Sequence, residues 1–142
     1  MNDKLLKNAA QAGVYHLPPL RRTELEAAAK KHHFPVLTAD IGVHQKMDKT
    51  LRNLGSALHF PIWFGANFDA LFDCLADPDW YPAKGHVIVL SGIDSLRVSD
   101  PDDFTTLIEV LQAATEARRE LGFPLWVLLD TPARGIPSLP EA

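Results

Sequence analysis

Two stretches of the chain are apolar almost without interruption: GHVIVLSGI (85–93) and PLWVLLD (124–130). Runs this short, rich in branched residues, predict strands covered on both faces, because a strand with one wet face would alternate. FPVLTADI (34–41) and the shorter VYHL (14–17), closed by Pro18-Pro19, predict two further strands. Between them the apolar period lengthens. HQKMDKTLRNLGSALHF (44–60) puts Met47, Leu51, Leu54 and Leu58 on one helical stripe, with Gly55 weakening it. RTELEAAAKKHH (22–33) reads as a helix, with Thr23 as the expected N-cap and basic residues in the last turn. NDKLLKNAAQAG (2–13) is expected to start at Asn2 or Asp3 and stop at Gly13. DPDDFTTLIEVLQAATEARRELG (100–122) predicts one long helix, capped by Asp100 or Asp102, with arginines in its last turn and Gly122 as its stop. The tail TPARGIPSLPEA (131–142) has three prolines and no period, so it is expected to be extended or mobile. Strands alternating with helices predict an α/β fold with a small, mainly parallel sheet.

One segment mixes strong apolar and strong acidic signals: FPIWFGANFDALFDCLADPDW (60–80). Asn67 is a good N-cap, so a helix is expected over 68–76. Phe68, Leu71, Phe72 and Leu75 then form a core-facing stripe, with Phe72 at its edge. Asp69 and Asp73 share an adjacent face one turn apart, with Asp77 farther round. That choice costs local stability. The two carboxylates repel by a few tenths of a kcal/mol, and aspartate is a weaker helix former than glutamate. Asp69 recovers some of this near the helix N-terminus, while mid-helix Asp73 recovers little. The pattern alone leaves two readings open, a solvated acidic face and a binding face.

Composition narrows the rest. The chain has 142 residues, 46% hydrophobic and 23% charged, which suits one soluble globular domain. A net charge of −4 argues against general nucleic-acid binding and is compatible with a basic partner. The single cysteine, Cys74, excludes an intrachain disulfide framework and is expected to be a partly buried, inert thiol. No apolar run approaches the roughly 20 residues needed to span a bilayer. The first residues lack the apolar core of a secretion signal, so a cytoplasmic location is expected. His16, His32, His33, His44, His59 and His86 show neither i, i+4 pairing nor zinc spacing, and no metal or cofactor is expected. KKHH (30–33) reads as a basic helix end, Trp126 as core, and Arg118-Arg119 as caps on the negative end of the long helix. A hydrolase reading would use Asp69 and Asp73 with Asp40 or Asp94 around magnesium, but no phosphate loop, nucleophile elbow or H-E-x-x-H supports it.

The stretch from Phe60 to Pro82 resembles the barstar family, inhibitors of barnase-type, guanyl-preferring ribonucleases. The residues that carry the resemblance are Pro61, Trp63-Phe64, Gly65, Asn67, Asp69-Ala70-Leu71, Asp73-Cys74-Leu75 and Tyr81-Pro82, centred on G-x-N-x-D-A-L-x-D-C-L. The order of elements from Val36 to Asp130 also fits. The resemblance implies a three-stranded parallel sheet packed by helices over residues 34–131, with an N-terminal strand and helix extension (1–33) and an extended tail (132–142). It further implies that the motif helix and its preceding loop plug a ribonuclease active site in place of RNA phosphates. Asp73 would enter the phosphate site and Asp69 would meet neighbouring basic groups. Trp63 and Phe72 would add aromatic contact, and Gly65 would let the backbone come close. Asn67, Asp77 and Trp80 complete the expected partner-binding set, with Glu116 as an additional acidic contact. Phe72 stands where the family's best-known member has tryptophan, Trp63 where it has tyrosine, and Ala66 where it has an acid. The expected partner is a basic ribonuclease or ribonuclease-like toxin, met by a monomer in an immunity or antitoxin role, with neither nucleic acid nor membrane bound. The other reading is a module of the same fold that recognises a different basic protein.

Overall fold

The computed structural model describes residues 2–42, 46–61 and 64–141. In chain order the elements are α1 (Asn2–Lys7), β1 (Val14–His16), α2 (Arg22–Lys31), β2 (Val36–Asp40), α3 (Met47–Ala57), α4 (Phe68–Ala76), β3 (His86–Ser91), α5 (Ile93–Ser99), α6 (Pro101–Leu121) and β4 (Leu125–Leu129). The strands form one parallel sheet in the order β1-β4-β3-β2. The α/β class is as expected, but the sheet has four strands rather than three. Val14–His16 pairs in register with Val127–Leu129, so the N-terminal segment supplies an edge strand.

Apart from Ser91 at the end of β3, both central strands are buried, and alternation assigns their side chains to two separate cores. Ile88, Leu90, Leu125, Val127 and Leu129 face a core built with Leu51, Leu54, Leu58, Leu71, Leu75, Leu107 and Leu111. Val87, Val89, Trp126 and Leu128 face the other way, onto Leu5, Leu6, Leu25, Ala28 and Ala29. Helices α3 to α6 thus cover one face, while α1 and α2 cover the other. Trp126 is fully buried, as its strand position predicts.

The capping chemistry departs from expectation in places. Asp100 does cap α6, its Oδ1 accepting from Asp103 N at 3.3 Å, and Gly122 ends it in the left-handed region. Thr23 does not cap α2. A 3-10 turn, Pro19–Arg21, runs directly into that helix, and Arg21 N and Arg22 N already donate to Pro18 O and Pro19 O. Helix α5 was not foreseen. It has seven residues, with only Ile93 and Leu96 buried, too short a pattern to register as a period. The tail is extended yet docked: His16 N donates to Pro137 O, Leu139 N to His16 O, and Arg21 reaches the carbonyls of Leu139 and Pro140. Leu139 is buried in the second core.

Candidate functional site

The N-terminus of α4 is set by Asn67, whose extended backbone leaves its Oδ1 free to accept from Ala70 N at 2.7 Å. From there the wheel falls as the sequence dictates. Leu71, Cys74 and Leu75 are buried, while Phe68 and Phe72 are half-buried at the margin of the first core. Asp69 and Asp73 are exposed. Among the described residues, neither forms an ion pair or a side-chain hydrogen bond. Two carboxylates therefore stand one turn apart with their hydrogen-bonding capacity open to solvent. Asp77 behaves differently. It closes α4, and its Oδ1 accepts from Asp79 N at 2.9 Å to begin the 3-10 turn Pro78–Trp80.

Cys74 is more deeply buried than expected, at 2% exposure. Burial first, and then the nearby carboxylates of Asp73 and Asp77, push its thiol up from its ordinary value, which keeps it protonated and unreactive.

The loop before α4 is fixed from below. Ala66 is buried and has a left-handed backbone, φ 51°, so this position presents no side chain to solvent. Gly65 is exposed, and a Cβ added to it would come within 3.1 Å of Asn67 Nδ2, pressing on the helix cap. Phe64 packs edge-on against Phe60 at 5.0 Å, and Phe60 in turn against Trp80 at 5.8 Å. Trp63 lies outside the described residues.

Trp80 belongs to the scaffold. Its Nε1 donates to Leu58 O at 2.8 Å, and its ring stacks on His86 at 4.5 Å. Below it lies a buried polar cluster that helical capping alone does not anticipate. Arg118 is completely buried. Its Nε does reach Phe123 O, just past α6, but Nη1 donates to Leu75 O at 3.0 Å and Nη2 meets His86 Nδ1 at 2.6 Å. Arg119 ties α6 to the N-terminal segment through Ala12 O. Burial, reinforced by the Arg118 charge, depresses His86 to about 4, with its bond to Tyr81 O opposing. Burial also lowers Arg118 to about 10, with Asp77 opposing. At neutral pH the cluster is thus a neutral imidazole against a guanidinium. The readable signal was positional: Arg118 follows Leu107, Leu111, Ala114 and Thr115 on the buried stripe of α6.

Glu116 is exposed on α6. Asp40 and Asp94 do not join the acidic helix. Asp40 accepts from Gly42 N, Asp94 pairs with Arg97, and no metal-holding group of His, Cys, Asp or Glu forms among the described residues. Cavities of about 730, 300 and 260 Å³ are lined by other elements, and Asp69 and Asp73 are exposed outside them.

These features define a class of protein: an α/β scaffold that displays two exposed carboxylates on one face of a short helix. The chain belongs to the barstar family, since the family model described as Barstar (barnase inhibitor) matches residues 34–130. No curated protein matches it. Proteins of this family are inhibitors rather than enzymes. The matched span takes in β2 to β4 and leaves α1, β1 and α2 outside. Among the described residues no helix is long and apolar enough to cross a membrane.

Proposed function

We propose that the protein inhibits a barnase-type, guanyl-preferring ribonuclease by laying α4 and the loop before it across the enzyme's active site. Asp73 occupies the phosphate position and Asp69 engages the neighbouring basic groups. Phe72 and Trp63 supply aromatic contact, and Gly65 allows close backbone approach. Asn67, which caps α4, and Asp77, which closes it, complete the binding set with Trp80. The observation that carries this reading is the pair of exposed carboxylates of Asp69 and Asp73, unpaired among the described residues, on a helix whose opposite face (Leu71, Cys74, Leu75) is buried. A ribonuclease must present arginine, lysine and histidine to phosphate, and charge-assisted hydrogen bonds to such groups are among the strong ones. Barnase and barstar are the standard example of charge-steered association and of a dominant interfacial aspartate. An immunity or antitoxin role in the cytoplasm follows from this reading.

The test is inhibition of a barnase-type ribonuclease by wild type and by Asp73→Ala. Because Asp73 is exposed and unpaired, the variant keeps its circular dichroism spectrum and melting temperature while inhibition falls by orders of magnitude. Unchanged inhibition in a folded Asp73→Ala protein overturns the proposal. One observation favours a second reading, a different basic protein as partner: the buried, left-handed Ala66 leaves the loop without an acid. Binding that depends on Asp69 and Asp73 but is directed at a basic protein without ribonuclease activity would select that reading.

A further inference from the structure

We infer that Arg118, which lies wholly inside the protein, is a positioning residue for the acidic helix: it grips the last turn of α4 and so fixes where Asp73 and Asp77 stand. This inference rests on α4 being the inhibitory surface. The last carbonyls of a helix have no partner within it. In α4, Cys74 O receives Asp77 N, while Leu75 O receives Arg118 Nη1 from another helix at 3.0 Å.

The guanidinium is held in turn on its other sides. Nε donates to Phe123 O at 2.8 Å, and Nη2 donates to His86 Nδ1 at 2.6 Å. Arginine has only donors, so His86 Nδ1 must accept, and the imidazole proton sits on Nε2, directed at Tyr81 O 2.5 Å away. Trp80 stacks on that imidazole and lies 5.7 Å from the guanidinium carbon. One planar group thereby joins α4, α6, β3 and the Tyr81 loop. Its charge faces no carboxylate within ion-pair distance among the described residues. It is compensated by Leu75 O at the negative end of α4, by Phe123 O just past α6 and, at longer range, by the Asp77 charge. A lysine could keep the charge, but a single ammonium cannot reproduce the fork that meets Phe123 O, Leu75 O and His86 Nδ1 together. The site explains why a costly buried cation is present: the alternative is a loose end on the helix that carries the binding acids.

The test uses Arg118→Lys and Arg118→Met in the full chain, read in two ways. In the free protein, residue-resolved amide exchange of 73–77 is expected to accelerate about tenfold more than exchange in α3 or β4, the signature of local rather than global opening. On immobilised barnase-type ribonuclease, dissociation is expected to speed up about tenfold. Association stays within about twofold, because Asp69 and Asp73 keep their charges. The lysine variant retains charge and most of the volume, so it serves if the methionine variant does not fold. Protection lost evenly across the sheet and helices, an undisturbed α4, or a loosened α4 with unchanged dissociation would each overturn the inference. If wild type fails to bind the ribonuclease, the proposed target is wrong, and the exchange measurement still decides whether Arg118 holds the helix.

Discussion

Phe64 lies so close to Gly55 that a Cβ added to the glycine would stand 2.7 Å from Phe64 Cδ2 and 3.4 Å from Phe60 Cδ2. A glycine in the middle of α3, a weakness when read as helix propensity, is thus the seat of the aromatic side chain that anchors the loop leading to the acidic helix. Gly55→Ala should gain up to about 1 kcal/mol of helix propensity and lose about 1–3 kcal/mol to overpacking. The expected net change is a loss of about 1 kcal/mol by urea denaturation, with Phe64 and the loop displaced. Ribonuclease binding should weaken with it. An alanine variant that is both more stable and fully active would show that the loop does not depend on this seat.

Asp69 and Asp73 should act on the rate of encounter as well as on the final contact. Association is expected to slow as ionic strength rises, since exposed charges are screened over about 10 Å at 0.1 M salt. The double variant Asp69→Asn, Asp73→Asn should flatten that dependence. It should change stability by no more than a few tenths of a kcal/mol, because relief of the repelling i, i+4 pair is offset by loss of the Asp69 charge at the helix N-terminus. Stopped-flow association at several salt concentrations checks this, and a wild-type rate indifferent to salt would remove the electrostatic argument.

The two cores should be of equal standing. Leu71 on α4 and Leu25 on α2 are both fully buried, one on each face of the sheet. Leu71→Ala and Leu25→Ala should each cost about 2–5 kcal/mol in chemical denaturation. A small effect at Leu25 alone would mean that the N-terminal layer is dispensable. With it in place, Val87, Val89, Trp126 and Leu128 have a dry partner surface, and the uninterrupted apolar runs of β3 and β4 make sense.

Those runs, the helical stripe of α4 and its Asn67 cap were legible because each is a local pattern. VYHL could be read as a fourth strand, but its place in the sheet could not. VYHL is short, and only its pairing with Val127–Leu129 turns it into an edge. The end of α6 could be read from Gly122. The ends of α2 and α3 use His33 and His59 at φ 60° instead, followed by Phe34 N and Phe60 N reaching back to Ala29 O and Gly55 O. The roles of Arg118 and His86 depend on partners 43 and 32 positions away. No spacing rule within one helix or strand encodes such distances.

His86 should make stability depend on acidity. Burial holds its folded value at about 4, below the ordinary 6.5, and the bond to Tyr81 O only partly opposes this. As pH falls through 6.5 the unfolded chain takes up this proton while the folded protein refuses it, so stability declines with falling pH across the window from 6.5 to 4. Above 6.5 both states are neutral at this site and the contribution is constant. The displacement bounds the loss at about 3 kcal/mol by pH 4, since each unit of difference corresponds to about 1.4 kcal/mol. The Asp3 carboxyl, held below its ordinary value chiefly by the hydrogen bond from Lys31, titrates below this window, and a comparison with His86→Gln isolates the histidine. Urea midpoints measured between pH 7.5 and pH 4 should fall more steeply for wild type than for His86→Gln, whatever the absolute stability of the variant. Parallel slopes would place the protonation elsewhere and leave the imidazole without its assigned part in holding Arg118.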